Sequence, residues 1–163
     1  MVTAVFHRIG EPNRETFTNS IEQIKKHKGL VTFDGIYDSV WEHRETIGEI
    51  ACGKHGVWLF FAGDTLGTEG FITQQQLLTL ADEYECLMGW HTWSHRDLTL
   101  LSDDEVKREL DAPEWVPRSA FAYPYGNFDD RVIELVKEAG YSKAYSTTQG
   151  IKGNEFAIRR EYL

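Results

Sequence analysis

Val57-Trp58-Leu59-Phe60-Phe61-Ala62 is the stretch on which the fold turns. The run is apolar and aromatic, and far shorter than the roughly 20 residues that cross a bilayer, so it reads as a strand. Runs of the same β type recur at Thr3–Phe6, Leu30–Phe33, Cys86–Trp90, Ala120–Tyr123, Ala144–Ser146 and Phe156–Ile158. Polar, helix-compatible segments separate most of them. The first holds Ile21, Ile24 and Lys25, and the second runs from Ser39 to Cys52. Thr73 is placed to cap a third, which carries Leu77, Leu78, Leu80 and Ala81. Ser102-Asp103-Asp104-Glu105 is a capping box ahead of Val106–Leu110. Asp129-Asp130 opens the last helix, with Val132, Ile133, Leu135 and Val136 on its apolar side and Gly140 as its stop.

Strand–helix alternation predicts an α/β fold with a parallel sheet, because parallel neighbours need a crossover connection. Seven runs within 163 residues leave little room for elaborate loops. The expectation is a small, distorted (β/α) barrel of about seven parallel strands, with an open doubly wound sheet as second choice. No repeat, low-complexity tract or Pro/Ser-rich linker divides the sequence, so one domain over residues 1–163 is expected.

Hydrophobic residues make up 41% and charged residues 26%, which is ordinary globular usage and argues against disorder, collagen or coiled coil. The 17 basic and 26 acidic residues give a net charge of -9. That balance disfavours nucleic acid and anionic membrane surfaces, whose binding relies on Lys and Arg. Cys52 and Cys86 are too few for a disulfide scaffold, and the sequence leaves open whether they pair. The opening residues show neither a basic leader nor a long apolar stretch. A cytoplasmic location is the expectation on that ground, with action at the cell surface left open.

In a parallel α/β fold the chemistry gathers just beyond the carboxyl ends of the strands. His7 follows the first run, Asp34 the second, His91 and His95 the fourth, and Tyr125-Gly126 the fifth. His91-Thr92-Trp93-Ser94-His95 carries two imidazoles that suit a borderline divalent ion such as zinc or cobalt, and Asp34 is the natural third donor. The bland alternative is two polar residues on a turn whose Thr92 and Ser94 cap backbone. His7 reads either as a strand-end histidine or as a titratable group facing the site. His27, His43 and His55 fall on the opposite side of the alternation and are expected at the surface. Phe121-Ala122-Tyr123-Pro124-Tyr125-Gly126 is a strand broken by Pro and Gly, where a backbone N–H can be left facing a pocket and hold an oxyanion.

Thr32-Phe33-Asp34, His91-Thr92-Trp93-Ser94-His95-Arg96-Asp97-Leu98 and Tyr123-Pro124-Tyr125-Gly126, in that order, resemble the first three motifs of the polysaccharide deacetylases with a NodB-type domain, carbohydrate esterase family 4. The resemblance implies a distorted β/α barrel that removes N-acetyl groups from an amino-sugar saccharide with one divalent metal. Zinc is the first choice, with cobalt or nickel as alternatives. It also implies the roles: Asp34 as general base, the Tyr125 N–H at the oxyanion, and His91, His95 and Asp34 at the metal.

Two departures from the family pattern qualify these roles. The family reads Thr-Phe-Asp-Asp-Gly where this chain reads Thr32-Phe33-Asp34-Gly35. Aligned without a gap, Asp34 is the base and Gly35 stands at the metal ligand; with one residue deleted, Asp34 is the ligand and the base is missing. Asp38 does not fill the vacancy, since it opens the following helix. The family Arg that orients the base is replaced by Ala122, for which Arg159 or Arg160 could substitute. The family's late Leu-x-His motif is also absent, and Phe6-His7-Arg8 resembles the members that carry this His on the first strand, which makes His7 the candidate general acid. The competing expectation is a degenerate member that binds a glycan or metal without turning it over.

Overall fold

The computed structural model describes residues 3–13, 15, 18–53, 56–147 and 149–162. His55 therefore lies outside the described residues, as do the first two residues of the opening segment. The chain opens with β1 (Ala4–Phe6), a small ladder of β2 (Arg8–Ile9) and β3 (Thr18–Asn19), and helix α1 (Ile21–Lys26). Then follow β4 (Val31–Asp34), α2 (Asp38–Glu42), α3 (Arg44–Ala51), β5 (Val57–Phe61), α4 (Gln74–Asp82) and β6 (Leu87–Trp90). The remainder is α5 (Asp103–Leu110), β7 (Phe121–Ala122), α6 (Asp130–Glu138), β8 (Ala144–Ser146), β9 (Ile158–Arg159) and β10 (Glu161–Tyr162).

Among the described residues the main sheet has eight parallel strands in the order β10-β1-β4-β5-β6-β7-β8-β9. From β1 to β9 each neighbour is the next strand of this sheet along the chain, and β10 returns to β1; this is barrel order and leaves no switch point for a doubly wound sheet. All seven expected runs contribute. The eighth strand arises because the terminal run Ile158–Tyr162 divides at Arg160. Its first half pairs with β8 and its second half with β1, so this segment joins the two edges and nearly closes the barrel. The seam is visible in the backbone: Arg160 N–H donates to the Ser146 carbonyl at 3.2 Å, and Glu161 N–H to that of Thr3 at 2.9 Å.

Side chains alternate across the sheet with a period of two. Val57, Leu59 and Phe61 pack outward with Ile47, Leu77, Leu80, Val106, Val132 and Val136 of the helices. Trp58 and Phe60 point to the other face, where Ala120, Ala122 and Tyr145 meet them in a separate interior cluster. Thr32 pairs with Trp58 and Asp34 with Phe60, so parity sets both polar residues on that interior face. The barrel closes tightly there: a Cβ on Gly89 would lie 2.3 Å from the Phe60 ring, so that strand position admits only glycine.

The helix starts follow the sequence. Ser20, Thr73 and Ser102 form capping boxes with Gln23, Gln76 and Glu105, and Asp129 accepts from Val132 N–H at 2.7 Å. Asp38 opens α2 as expected. The Ser39–Cys52 segment is two helices rather than one, broken at His43 (φ -104°, ψ 19°), whose Nδ1 lies 2.9 Å from the Ser39 carbonyl oxygen. His27 and His43 are half-buried rather than on the open surface. Cys52 and Cys86 are both free thiols, the first exposed and the second buried.

Candidate active site

The carboxyl ends of the strands surround a cavity of about 500 Å³. His7 follows β1, Asp34 ends β4, His91 follows β6 and Tyr125 follows β7; all four line the cavity together with His95. The expected residues thus converge, although they come from four separate strands. Phe71, Tyr37 and Tyr162 supply aromatic wall.

Asp34 is buried, and its carboxylate is gripped by Arg160, which is fully buried. Arg160 Nη1 donates to Oδ1 at 2.5 Å and Nη2 to Oδ2 at 2.7 Å, a two-pronged pair of the geometry guanidinium is built for. The same guanidinium donates to Thr32 Oγ1 at 3.0 Å and, through Nε, to the Ser146 carbonyl at 3.0 Å. Burial alone would raise the Asp34 pKa; the Arg160 charge overrides it, aided by His91, and holds the group at about 2. Of the two arginines open to this role, Arg159 faces the other way and pairs with Glu161 at 3.6 Å. Ala122 contributes only its carbonyl, which takes up the Nδ1 side of His91 at 2.7 Å.

That contact sets the His91 tautomer. With Nδ1–H donated to a carbonyl, Nε2 keeps its lone pair on the side of Asp34, 3.9 Å from Oδ2. Burial lowers the His91 pKa to about 4 against the opposing pull of Asp34, so the ring is neutral at pH 7. The His95 ring lies edge-on to it with centroids 4.7 Å apart, and the Tyr125 ring meets that of His95 in a second T-shaped contact at 4.9 Å. His95 too is lowered, first by burial.

The turn joining the two histidines is unusual, because Thr92 (φ 72°) and His95 (φ 56°) are both left-handed. Thr92 Oγ1 accepts the His95 N–H at 2.9 Å, and Glu109 on α5 accepts both the Trp93 and the Ser94 N–H at 2.9 Å. Glu109 was not singled out in the sequence. The one trace of it there is an acidic residue set between Val106 and Leu110, on the stripe of α5 that is buried.

Tyr125 is a third left-handed residue, at φ 58°. Its turn uses the Gly126 and Asn127 N–H groups on the Tyr123 and Pro124 carbonyls and leaves the Tyr125 N–H outside that ladder. Gly126 has φ +72°, and a Cβ there would lie 2.0 Å from Thr147 Oγ1, so β8 and this turn approach too closely for any side chain. His7 stacks on Tyr162 with ring centroids 6.0 Å apart, and burial lowers its pKa while the Asp34 charge partly restores it.

His91 and His95 have the donor chemistry for a divalent ion. Asp34 does not fit as their third partner while Arg160 occupies both of its oxygens, because an ion bound there would face the guanidinium. Among the described residues no group of three or more His, Cys, Asp or Glu side chains is arranged to hold a metal ion. Gly35, at φ +63°, brings no donor to the place where the family pattern would put a second carboxylate.

The polysaccharide deacetylase family model matches residues 22–144. Chitin deacetylase 1 of Saccharomyces cerevisiae is 36% identical over 61 residues, covering 33% of this chain and 20% of that protein. An uncharacterised 30.6 kDa protein of Geobacillus stearothermophilus is 34% identical over 67 residues, 36% of this chain and 25% of that protein. The matches therefore span a quarter or less of these curated relatives. In three dimensions the chain is similar to the Streptococcus pyogenes deacetylase PplD in complex with acetate, with a TM-score of 0.80 at 16% identity over 100% of this chain and 92% of that one. That likeness is one of fold: a distorted, nearly closed barrel.

Proposed function

The chain belongs to the polysaccharide deacetylase family, and from that premise we propose that it hydrolyses the N-acetyl group of an amino-sugar saccharide, with Asp34 as general base. The observation that carries the reading is the Asp34–Arg160 pair. It gives this chain an oriented, ionised carboxylate although the motif arginine is missing at position 122. On this reading Asp34 takes a proton from the attacking water as the water oxygen bonds to the acetamide carbon. The Tyr125 N–H donates to the oxyanion that develops on the carbonyl oxygen. The C–N bond then breaks, the proton drawn from the water passes by way of His7 to the departing amine, and acetate remains. Protonated His7 would be a willing donor, since burial favours its neutral form.

Arg160 fixes the base and weakens it at once. A carboxylate held near a pKa of about 2 is a poor proton acceptor, so its contribution falls at the low end of the usual 10²- to 10⁴-fold. His91 and His95 offer neutral nitrogens to a zinc, cobalt or nickel ion, and the proton steps belong to the chain's own residues.

The reading is tested by acetate release from N-acetylglucosamine oligomers, with and without added Zn²⁺ or Co²⁺. Release that falls about 10²-fold in Asp34→Asn supports it. Gly35 and the closed ion pair favour a second reading, in which a glycan is bound without turnover. Sugar binding with no acetate above the blank, unchanged in His91→Ala, would establish that reading and overturn the first.

A further inference from the structure

We propose that Glu109 is a positioning residue for His95: its carboxylate holds the Thr92–His95 turn in the conformation that brings that ring into the cavity beside His91. This rests on His91 and His95 being site residues. Glu109 is only 7% exposed, and a carboxylate that deep needs compensation. Among the described residues it has no ion pair. All its donors come from the turn instead: the Trp93 and Ser94 N–H groups on Oε2, each at 2.9 Å, and the Ser94 hydroxyl on Oε1 at 2.5 Å. The Glu109 main chain is fixed to the same region, since its carbonyl accepts Trp90 Nε1–H at 2.8 Å.

The turn requires such a clamp. Thr92 is β-branched and left-handed, a conformation that persists only where the surroundings over-determine it. Opposite Glu109, the Thr92 and Trp93 carbonyls accept the Gly63 and Asp64 N–H groups at 3.0 and 2.9 Å. The turn is therefore held between the end of β5 and the carboxylate on α5. Released on the α5 side, two consecutive N–H groups lose their acceptor, and the peptides leading into His95 are free to rotate. The His91 ring, fixed through Nδ1 to β7, should stay in place while the His95 ring departs.

The test uses the whole chain with Glu109→Gln, Glu109→Ala and Ser94→Ala. Amide exchange and the ring ¹³C–¹H signals of His91 and His95 are followed by NMR, with the β5 amides as the reference for an intact barrel. We expect Glu109→Gln to keep the β5 protection, to lose about tenfold of the protection at Trp93 and Ser94, and to shift the His95 ring signals but not those of His91. Ser94→Ala should do the same more weakly. Where the wild-type chain releases acetate, kcat should fall on the order of 10²-fold in Glu109→Gln with KM changed by less than about twofold, as for a misplaced site group. A lower melting point with unmoved His95 signals in Glu109→Gln overturns the proposal and leaves Glu109 as a helix anchor. Should Glu109→Ala fail to fold, Glu109→Gln and Ser94→Ala decide. A wild-type chain that releases no acetate defeats the deacetylase reading and leaves the NMR outcome to decide on Glu109.

Discussion

The two halves of the cavity solve the same problem of buried charge in opposite ways. At the β4 end, Asp34 meets a full countercharge, Arg160, from the other end of the chain. At the β6 end, Glu109 meets only backbone N–H groups and a hydroxyl, and burial favours the neutral form of both His91 and His95 beside it. The first arrangement orients a carboxylate and takes up one acceptor site on each of its oxygens. The second leaves lone pairs available. A site assembled this way has its anionic member locked and its neutral members open, so its two halves should respond differently to mutation, pH and metal.

The largest effect is expected from Arg160. Arg160→Met strands the Asp34 charge in the interior, and removing one partner of a buried pair costs about 3–5 kcal/mol. The double variant Asp34→Leu, Arg160→Met should recover most of that loss, since apolar replacement of a whole pair is often neutral. Urea midpoints of the three proteins measure both effects. A single variant within about 1 kcal/mol of wild type would mean that Asp34 is compensated by something other than charge. Asp34→Asn comes next. It should lower acetate release by about 10²-fold, toward the low end for a general base because Arg160 has already weakened this one.

Acid should expose the contrast more gently. His91 falls from its ordinary 6.5 to about 4, so the fold favours its neutral form. That stabilisation is complete above about pH 6.5 and is lost as pH falls toward 4. Asp34 falls from 3.8 to about 2, so its stabilisation is present above about pH 4 and is lost as pH falls toward 2. Urea midpoints should thus decline in two steps, the imidazole side first. In His91→Gln the upper step should shrink to the part that His7 and His95, lowered in the same direction, still contribute, and the lower one remain; an unchanged upper step would assign it elsewhere.

The barrel was legible in the sequence because its strands are apolar runs whose order along the chain is their order in space. His7, Asp34, His91, His95 and Tyr125 were legible for the same reason, since each lies at or just beyond a strand end, whereas the aromatic walls Phe71 and Tyr162 were not. What depends on parity between distant strands was not. Arg159 and Arg160 are adjacent and point to opposite faces, and only the pairing of β9 with β8 and β10 with β1 decides which one reaches Asp34. The break at His43 turns on a ring bonding back to Ser39, which no periodicity records. Glu109 shares the apolar stripe of Val106 and Leu110, but nothing in that pattern points to its partners, which are backbone N–H groups 15 and 16 residues earlier.

The smallest change expected in the fold is also the one that would most directly link the two halves. Gly35 lies beside Asp34 at φ +63°, and aspartate is among the few side chains that visit that region. A Cβ there would meet the Tyr37 ring at 3.6 Å and the Phe71 ring at 3.7 Å, which is ordinary contact rather than collision. Gly35→Asp should therefore fold, at a backbone cost of about 1–2 kcal/mol. It would place near the cavity a carboxylate that Arg160 does not already hold. If the imidazole nitrogens are open to an ion, this variant should gain a zinc-dependent rise in melting point larger than that of the wild-type chain. An ion at 100 times its dissociation constant stabilises by about 2.7 kcal/mol, enough to offset the strain. Addition of His95→Ala should remove the gain. A zinc response equal to wild type would mean that the histidines are held for another purpose, and that a carboxylate at position 35 adds nothing to ion binding.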